Sequence, residues 1–210
     1  MPLKRRRLME VILIMGLMLL SVFVISSLKG LLVILPIVYF LVEQRIREKT
    51  KSYWRPMISG FLTGVRAAWG WILLAAIGSQ AVFASLFHMF SPETIAHIQE
   101  RLPASGQWSA PLVIAILIAP LGEEITFRGL IQERLGWFLP AWAAVGLASL
   151  LFALMHLSSG PAEVVFWDLF SVFADSVLYG VIYAKTGNLL VSYVAHLLAD
   201  GVGMLLMTAL

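Results

Sequence analysis

The sequence feature that most limits the fold is a series of apolar segments, most of them long enough to cross a membrane. A helix needs about 20 residues to cross the hydrocarbon core of a bilayer. The first segment follows basic residues 4–7 but lacks a small-residue cleavage site, so we interpret it as a retained helix rather than a signal peptide. About seven spans are predicted, at residues 9–28, 30–42, 67–90, 110–135, 139–157, 163–184 and 189–207.

The composition supports a membrane protein and excludes several other classes. Of the 210 residues, 60% are hydrophobic and 13% are charged, and the mean hydropathy is +0.90. A soluble domain has about 45–50% apolar and about 25% charged residues. A soluble enzyme and a disordered protein are therefore excluded, and the absence of cysteine excludes a disulfide-stabilised secreted scaffold. We expect an all-α, polytopic membrane bundle.

The basic residues predict the orientation of this bundle. Nine of the fifteen lie within residues 4–7 and 45–55, which is typical of cytoplasmic loops and not of a nucleic-acid-binding face. With the N-terminus inside, the cytoplasmic segments hold eleven Lys and Arg residues, whereas the outer loops hold only Lys29 and Arg101. The sequence therefore predicts a cytoplasmic N-terminus, an outer C-terminus and no nucleic-acid partner.

The fourth predicted span carries three charges within six residues, Glu123, Glu124 and Arg128. Charged groups in the bilayer are costly and are usually functional. Glu124 and Arg128 are four residues apart and can pair on one helix face. Glu123 lies about 100° away from Glu124 around the helix and has no partner on that helix. A carboxylate without a partner is free to take up a proton, which suits a general base. The alternative is an ion network that only locks the helices together.

Two further spans bring imidazole and carboxylate groups into the membrane. His156 ends the fifth span, and His196 and Asp200 lie one helical turn apart in the seventh. Each of these residues alone could be structural, as a packed or hydrogen-bonded side chain. Because polar side chains in lipid must face one another, we expect Glu123, His156, His196 and Asp200 to converge on one wet cavity.

The remaining titratable residues are given lesser roles. Asp168 and Asp175 are seven residues apart and could both line that cavity. Glu133 and Arg134 are expected at the wet end of the fourth helix, and Glu163 at an interface. No role is assigned to His88 or His97. Residues 43–56 are read as a polar, basic loop.

Three motifs in order resemble those of the CPBP family, the CAAX prenyl proteases and bacteriocin-processing (Abi) intramembrane endopeptidases. They are Glu123-Glu124-x-x-x-Arg128, Phe152-x-x-x-His156 and His196-x-x-x-Asp200. The resemblance covers about residues 110–201. It implies that residues 1–90 form three variable spans, that residues 91–109 form an extramembrane loop, and that residues 110–210 form the catalytic core of four spans.

The resemblance implies hydrolysis of a peptide bond within the membrane. Glu123 and His156 would activate a water, and His196 with residue 200 would stabilise the oxyanion. Glu124 and Arg128 would support the site by holding the helix of the fourth span in register. Phe152, from the second motif, would be a further supporting residue. The substrate would be a membrane-associated peptide or protein, and a prenylated one only in a host that prenylates proteins. Lipids are the other expected partners, and the expected location is the cytoplasmic membrane of a prokaryote.

The sequence departs from the prenyl-protease pattern at Asp200, where those proteases usually have Asn. An Asn amide donates a hydrogen bond to an oxyanion, whereas an ionised Asp repels it. Asp200 could act protonated, could accept a hydrogen bond from His196, or could bind zinc together with Glu123, His156 and His196. No His-Glu-x-x-His sequence is present. A metal-free glutamate mechanism is favoured over a zinc one.

Two other functions remain open at this stage. The first is a non-catalytic bacteriocin-immunity or membrane-binding scaffold that keeps the fold. The second is a proton-coupled transporter that uses the same Glu and His residues as a relay, although transporters usually show paired repeats and none is visible here.

Overall fold

The computed structural model describes residues 3–25, 29–47, 54–101 and 109–209, which are almost entirely helical and contain no strand. These residues form two short helices and seven longer ones, and the predicted all-α bundle is confirmed. The helices are α1 (Leu3–Phe23), α2 (Lys29–Arg47), α3 (Trp54–Ser59), α4 (Phe61–Phe90), α5 (Pro92–Arg101), α6 (residues 110–135), α7 (Ala141–Met155), α8 (Ala162–Thr186) and α9 (Leu189–Ala209).

Three helices in the described part are long and apolar enough to cross a membrane by length and composition: α4, α8 and α9. The apolar helix α7 is shorter. Helix α4 begins at Phe61, and a wider π-helical turn at Leu74–Gly78 interrupts its α-helical hydrogen bonding. The third predicted span therefore begins earlier than residue 67. Many large apolar side chains are exposed along these helices, as expected for helices that lie in lipid.

Local sequence explains several helix ends in the last four helices. Ser109 caps α6, because its side chain accepts a hydrogen bond from the backbone N–H of Leu112 at 3.4 Å. Helix α8 ends at Gly187, whose φ of 59° is left-handed, and glycine adopts this conformation without steric cost. The turn at Gly187 lies between the last two predicted spans, residues 163–184 and 189–207.

Two groups of buried apolar residues hold the bundle together. One joins α1, α2, α6 and α7 and includes Phe40, Leu130 and Phe152. The other joins α4, α8 and α9 and includes Ala68, Tyr179 and Ala195. Helix α6 meets α9 closely at Gly129, where an added Cβ would lie 2.8 Å from Leu189 Cδ1. Small residues permit such close approach between membrane helices.

The structure corrects the interpretation of Arg134, which the sequence places at the wet end of α6 together with Glu133. The Arg134 side chain is fully buried, and its Nη2 donates to Glu43 Oε2 at 2.6 Å. Glu43 is also buried because α2 extends to Arg47, so residues 43–47 are helix and not the predicted loop. Arg7 of α1 reaches the same carboxylate at 3.6 Å. Buried charges thus join α1 and α2 to the last four helices.

Candidate active site

The structure brings all four predicted site residues, Glu123, His156, His196 and Asp200, to the wall of one cavity of about 300 Å³. Glu123 comes from α6, His156 from the end of α7, and His196 and Asp200 from α9. Regular α-helix in α6 ends at Glu124, and a π-helical segment, Ile125–Gln132, follows directly. Such wide turns are frequent at functional sites.

Glu123 lies between the two histidines. Its Oε1 is 3.9 Å from His156 Nε2, and its Oε2 is 3.6 Å from His196 Nε2. Both separations exceed a direct hydrogen bond and are suited to a bridging water. The side chain is 25% exposed, so the carboxylate can reach the cavity.

Because His156 uses Nδ1 for a hydrogen bond to the backbone, its other ring nitrogen, Nε2, faces Glu123. His156 follows the last residue of α7, and its Nδ1 lies 2.9 Å from the carbonyl oxygen of Phe152. A carbonyl oxygen only accepts, so Nδ1 carries the proton, and Nε2 of a neutral ring is a proton acceptor. Phe152 also packs on this imidazole, with ring centroids 4.6 Å apart. The backbone and side chain of Phe152 therefore both orient His156.

Both ring nitrogens of His196 lie near carboxylates, and one face of the ring packs on an aromatic side chain. Its Nδ1 lies 3.0 Å from Glu124 Oε1, while its Nε2 is 3.6 Å from Asp200 Oδ1 as well as 3.6 Å from Glu123. The Tyr179 ring stacks on the imidazole at 4.3 Å. Because a carboxylate only accepts, Nδ1 carries a proton, and Nε2 can donate a hydrogen bond only when the ring is an imidazolium.

Glu124 has a larger role in the site than its spacing to Arg128 predicts. The expected pair is present, with Arg128 Nη1 3.4 Å from Glu124 Oε1, and both side chains are fully buried. Glu124 also accepts from His196, and its Oε2 lies 2.5 Å from Ser192 Oγ. Ser192 is four residues before His196 on α9, so helical spacing could have indicated its place on the same face.

Arg128 extends this network to α8. Its Nη2 donates to the carbonyl oxygen of Ser176 at 2.7 Å and lies 2.9 Å from the Ser176 hydroxyl oxygen. The guanidinium also packs over the rings of Phe152 and Tyr179, at 5.1 and 5.5 Å from their centroids. Buried polar groups around Glu124 therefore tie α6, α8 and α9 together behind the cavity.

The two aspartates of α8 take different places. Asp175 lines the cavity, as predicted. Asp168 does not: it is buried and lies 3.6 Å from His97 Nε2, which is also 2.9 Å from the Ser158 hydroxyl oxygen. His97, to which no role is assigned from sequence, is thus buried and joins α5 to the α7–α8 connection.

A second cavity of about 420 Å³ meets the first at Glu123 and His156. Its other walls are mostly apolar, with Met18 of α1, Ile37 of α2 and Phe127 of α6 among them. The catalytic candidates therefore lie between one cavity with several polar side chains and another lined by hydrocarbon.

The zinc alternative would draw its donors from Glu123, His156, His196 and Asp200. No group of three or more His, Cys, Asp or Glu side chains among the described residues is arranged to hold a metal ion. The choice between a zinc mechanism and a metal-free one stays a prediction.

The fold and the site define a helical membrane protein with a carboxylate–imidazole centre between its last four helices. Residues 105–202 match the family model of the type II CAAX prenyl endopeptidases, Rce1-like. This segment carries the three motifs, so the match confirms the resemblance seen in the sequence.

The chain is also similar to one curated protein of Bacillus subtilis. The chain is 35% identical over 115 residues to the uncharacterised protein YpbD of Bacillus subtilis (strain 168). The aligned region is 54% of this chain and 47% of YpbD, so the chain spans about half the length of this relative. No solved structure matches the chain.

Proposed function

We propose that this protein is an intramembrane endopeptidase that hydrolyses a peptide bond with a water activated by Glu123 and His156. The observation that carries the proposal is the placement of Glu123 between two oriented imidazoles, at 3.9 and 3.6 Å, on a cavity wall. The match of the motif-bearing segment to a family model of endopeptidases suggests the reaction class of this arrangement.

In the proposed mechanism, a water between Glu123 Oε1 and His156 Nε2 loses a proton to the carboxylate and attacks the scissile carbonyl carbon. The carbonyl oxygen becomes an oxyanion, and the imidazolium of His196 donates to it through Nε2. The proton held by Glu123 then passes to the leaving nitrogen as the C–N bond breaks. The products are a carboxylic acid, which keeps the oxygen and one proton of the water, and an amine, which takes the other proton; ionisation of the acid then gives a carboxylate and an ammonium.

Asp200 has a role in this mechanism that an Asn would not fill. Its Oδ1 lies 3.6 Å from the same Nε2 that faces the oxyanion position. The Asp200 carboxylate offsets the positive charge of the imidazolium from the Nε2 side, and the Glu124 carboxylate offsets it from the Nδ1 side. We therefore assign Asp200 to the support of protonated His196, and no step requires a metal.

The proposed substrate is a peptide or protein segment held at the membrane. A cavity within the helices and an apolar cavity beside Glu123 favour a substrate that enters from the bilayer. We keep the predicted cytoplasmic N-terminus and prokaryotic cytoplasmic membrane as part of the proposal. Prenylation of the substrate is not required by any contact in the site.

The test is cleavage of a randomised peptide library by the purified protein in lipid vesicles, with products identified by mass spectrometry in ¹⁸O-labelled water. New carboxyl termini should carry the label. Glu123→Gln should lower the cleavage rate by at least about a hundredfold, since general-base catalysis contributes this much. Glu163→Gln, which changes an exposed carboxylate on α8, is the matched control. Equal cleavage by wild type and Glu123→Gln would refute the mechanism.

The same experiment addresses the non-catalytic scaffold. A scaffold would cleave nothing in the library, and the Glu123→Gln variant would behave like wild type in binding and stability. Labelled products from wild type alone therefore separate the two functions.

A further inference from the structure

The 300 Å³ cavity has a polar pair outside the three motifs, Gln80 of α4 and Asp175 of α8. Gln80 Nε2 donates to Asp175 Oδ2 at 2.8 Å. Gln80 is itself confined by α9, because a Cβ added at Gly203 would lie 2.6 Å from Gln80 Oε1. Helices α4 and α9 thus fix the amide that orients the Asp175 carboxylate.

The Asp175 carboxylate has one oxygen without a well-formed hydrogen bond. Its Oδ1 is buried and has no partner of hydrogen-bond geometry among the described residues. The adjacent Ser79 interacts with this carboxylate, but its hydroxyl donates its single proton to the carbonyl oxygen of Ala75 at 2.8 Å. A buried acceptor without a donor is costly, and a donor group supplied by a ligand would remove that cost.

The charge of the cavity indicates what kind of donor fits. Three carboxylates line it, those of Glu123, Asp175 and Asp200, against the single imidazolium proposed for His196, and no Lys or Arg is among its described lining residues. Asp175 lies near the reacting groups, because it lines the same cavity as His196 and Asp200. Most of the remaining wall is apolar and would contact the aliphatic part of a long side chain, through Ile116, for example.

The second cavity offers no comparable acceptor. Apart from Glu123 and His156, which both cavities share, its described lining is almost entirely apolar. Among the described residues, a cationic side chain of the substrate would therefore meet a carboxylate other than Glu123 in the first cavity, where Asp175 lies, and not in the second. The two cavities provide unlike subsites for the two sides of a scissile bond.

We infer that Asp175, oriented by Gln80, is a specificity-determining residue that binds the side chain of a lysine or arginine next to the scissile bond. This inference rests on the proposed function, because it assigns a substrate class to the same site. A hydrogen bond between charged partners corresponds to a preference of about ten- to a hundredfold in kcat/KM.

The cleavage test compares peptides that differ only in having lysine, norleucine or glutamate beside the site found in the library. Wild type should prefer lysine over norleucine by about ten- to a hundredfold. Asp175→Asn keeps the acceptor for Gln80 but removes the charge, and this preference should fall to within about threefold. Glu163→Gln on the same helix should keep it. A lysine preference unchanged in Asp175→Asn, or absent from wild type, overturns the inference.

A binding measurement separates this inference from the proposed function. Protein carrying Glu123→Gln is mixed with the peptide library in detergent, and retained peptides are identified by mass spectrometry. Lysine and arginine should be enriched, and Asp175→Asn added to this protein should abolish the enrichment. Enrichment that depends on Asp175 without any cleavage by wild type would refute the peptidase and uphold the subsite. Should Asp175→Asn not fold, Gln80→Met tests the same point, and an unchanged lysine enrichment in that variant overturns the inference.

Discussion

Replacement of Glu124 by Gln tests whether the buried charge behind the cavity holds the site together. The amide can keep much of the hydrogen bonding. Its oxygen can remain near His196 Nδ1 and Arg128, and its nitrogen can donate to Ser192 Oγ, which in turn donates to the Tyr179 carbonyl oxygen 3.0 Å away. What the substitution removes is the negative charge opposite the fully buried Arg128.

The expected cost of this substitution follows from the burial of Arg128. Leaving one member of a buried ion pair without its partner costs about 3–5 kcal/mol. Because Arg128 keeps its two contacts to Ser176, we expect the lower limit, about 3 kcal/mol. Arg128→Met should cost a similar amount, since it leaves the Glu124 carboxylate buried. The double variant should cost less than the sum, because replacement of a whole buried pair by apolar groups is often nearly neutral.

The assay is a double-mutant cycle on the free energy of unfolding, measured in mixed micelles by denaturant titration. The coupling between Glu124→Gln and Arg128→Met should be about 2 kcal/mol or more, at the upper part of the range for residues in one network. A cost below 1 kcal/mol for Glu124→Gln, with additive single variants, would refute the role of this pair in stability. Peptide cleavage should fall in Glu124→Gln even where the protein is fully folded, because His196 loses the negative charge at Nδ1 that offsets its imidazolium.

Three further results are expected. Asp200→Asn should keep cleavage within about tenfold of wild type, because an Asn amide can donate to the oxyanion directly, whereas Asp200→Leu should lose more; equal losses in both variants would contradict this. Purified protein should contain far less than one zinc per chain by elemental mass spectrometry and should cleave after chelation; stoichiometric zinc that disappears in His196→Ala would contradict it. Gly129→Ala should destabilise the protein by about 1–3 kcal/mol, because the new methyl would lie 2.8 Å from Leu189 and 3.2 Å from Phe40. An unchanged unfolding midpoint would show that α6 and α9 can separate at this position.

The sequence predicts the positions of the helices well because each of them carries its own apolar pattern and turn residues. It also predicts that the charges inside the spans converge, since lipid offers them no other partner. The misplacement of Arg134 shows the limit of this reasoning. A charge near a helix end is normally wet, and its partner Glu43 is 91 residues away on a helix that the polar composition suggested was a loop. Such a pairing is a property of the tertiary packing and not of either segment.

Glu123 and Glu124 show most clearly why a motif alone does not assign roles. They are adjacent and chemically identical, but they point about 100° apart from one helix. Glu124 is fully buried and both of its carboxylate oxygens contact Arg128, Ser192 or His196, so this carboxylate serves as support. Glu123 lies at the cavity with gaps of 3.6 and 3.9 Å to its neighbours, so it can still bind and deprotonate a water. The environment that α8 and α9 build around each carboxylate, and not the residue type, separates the supporting group from the proposed base.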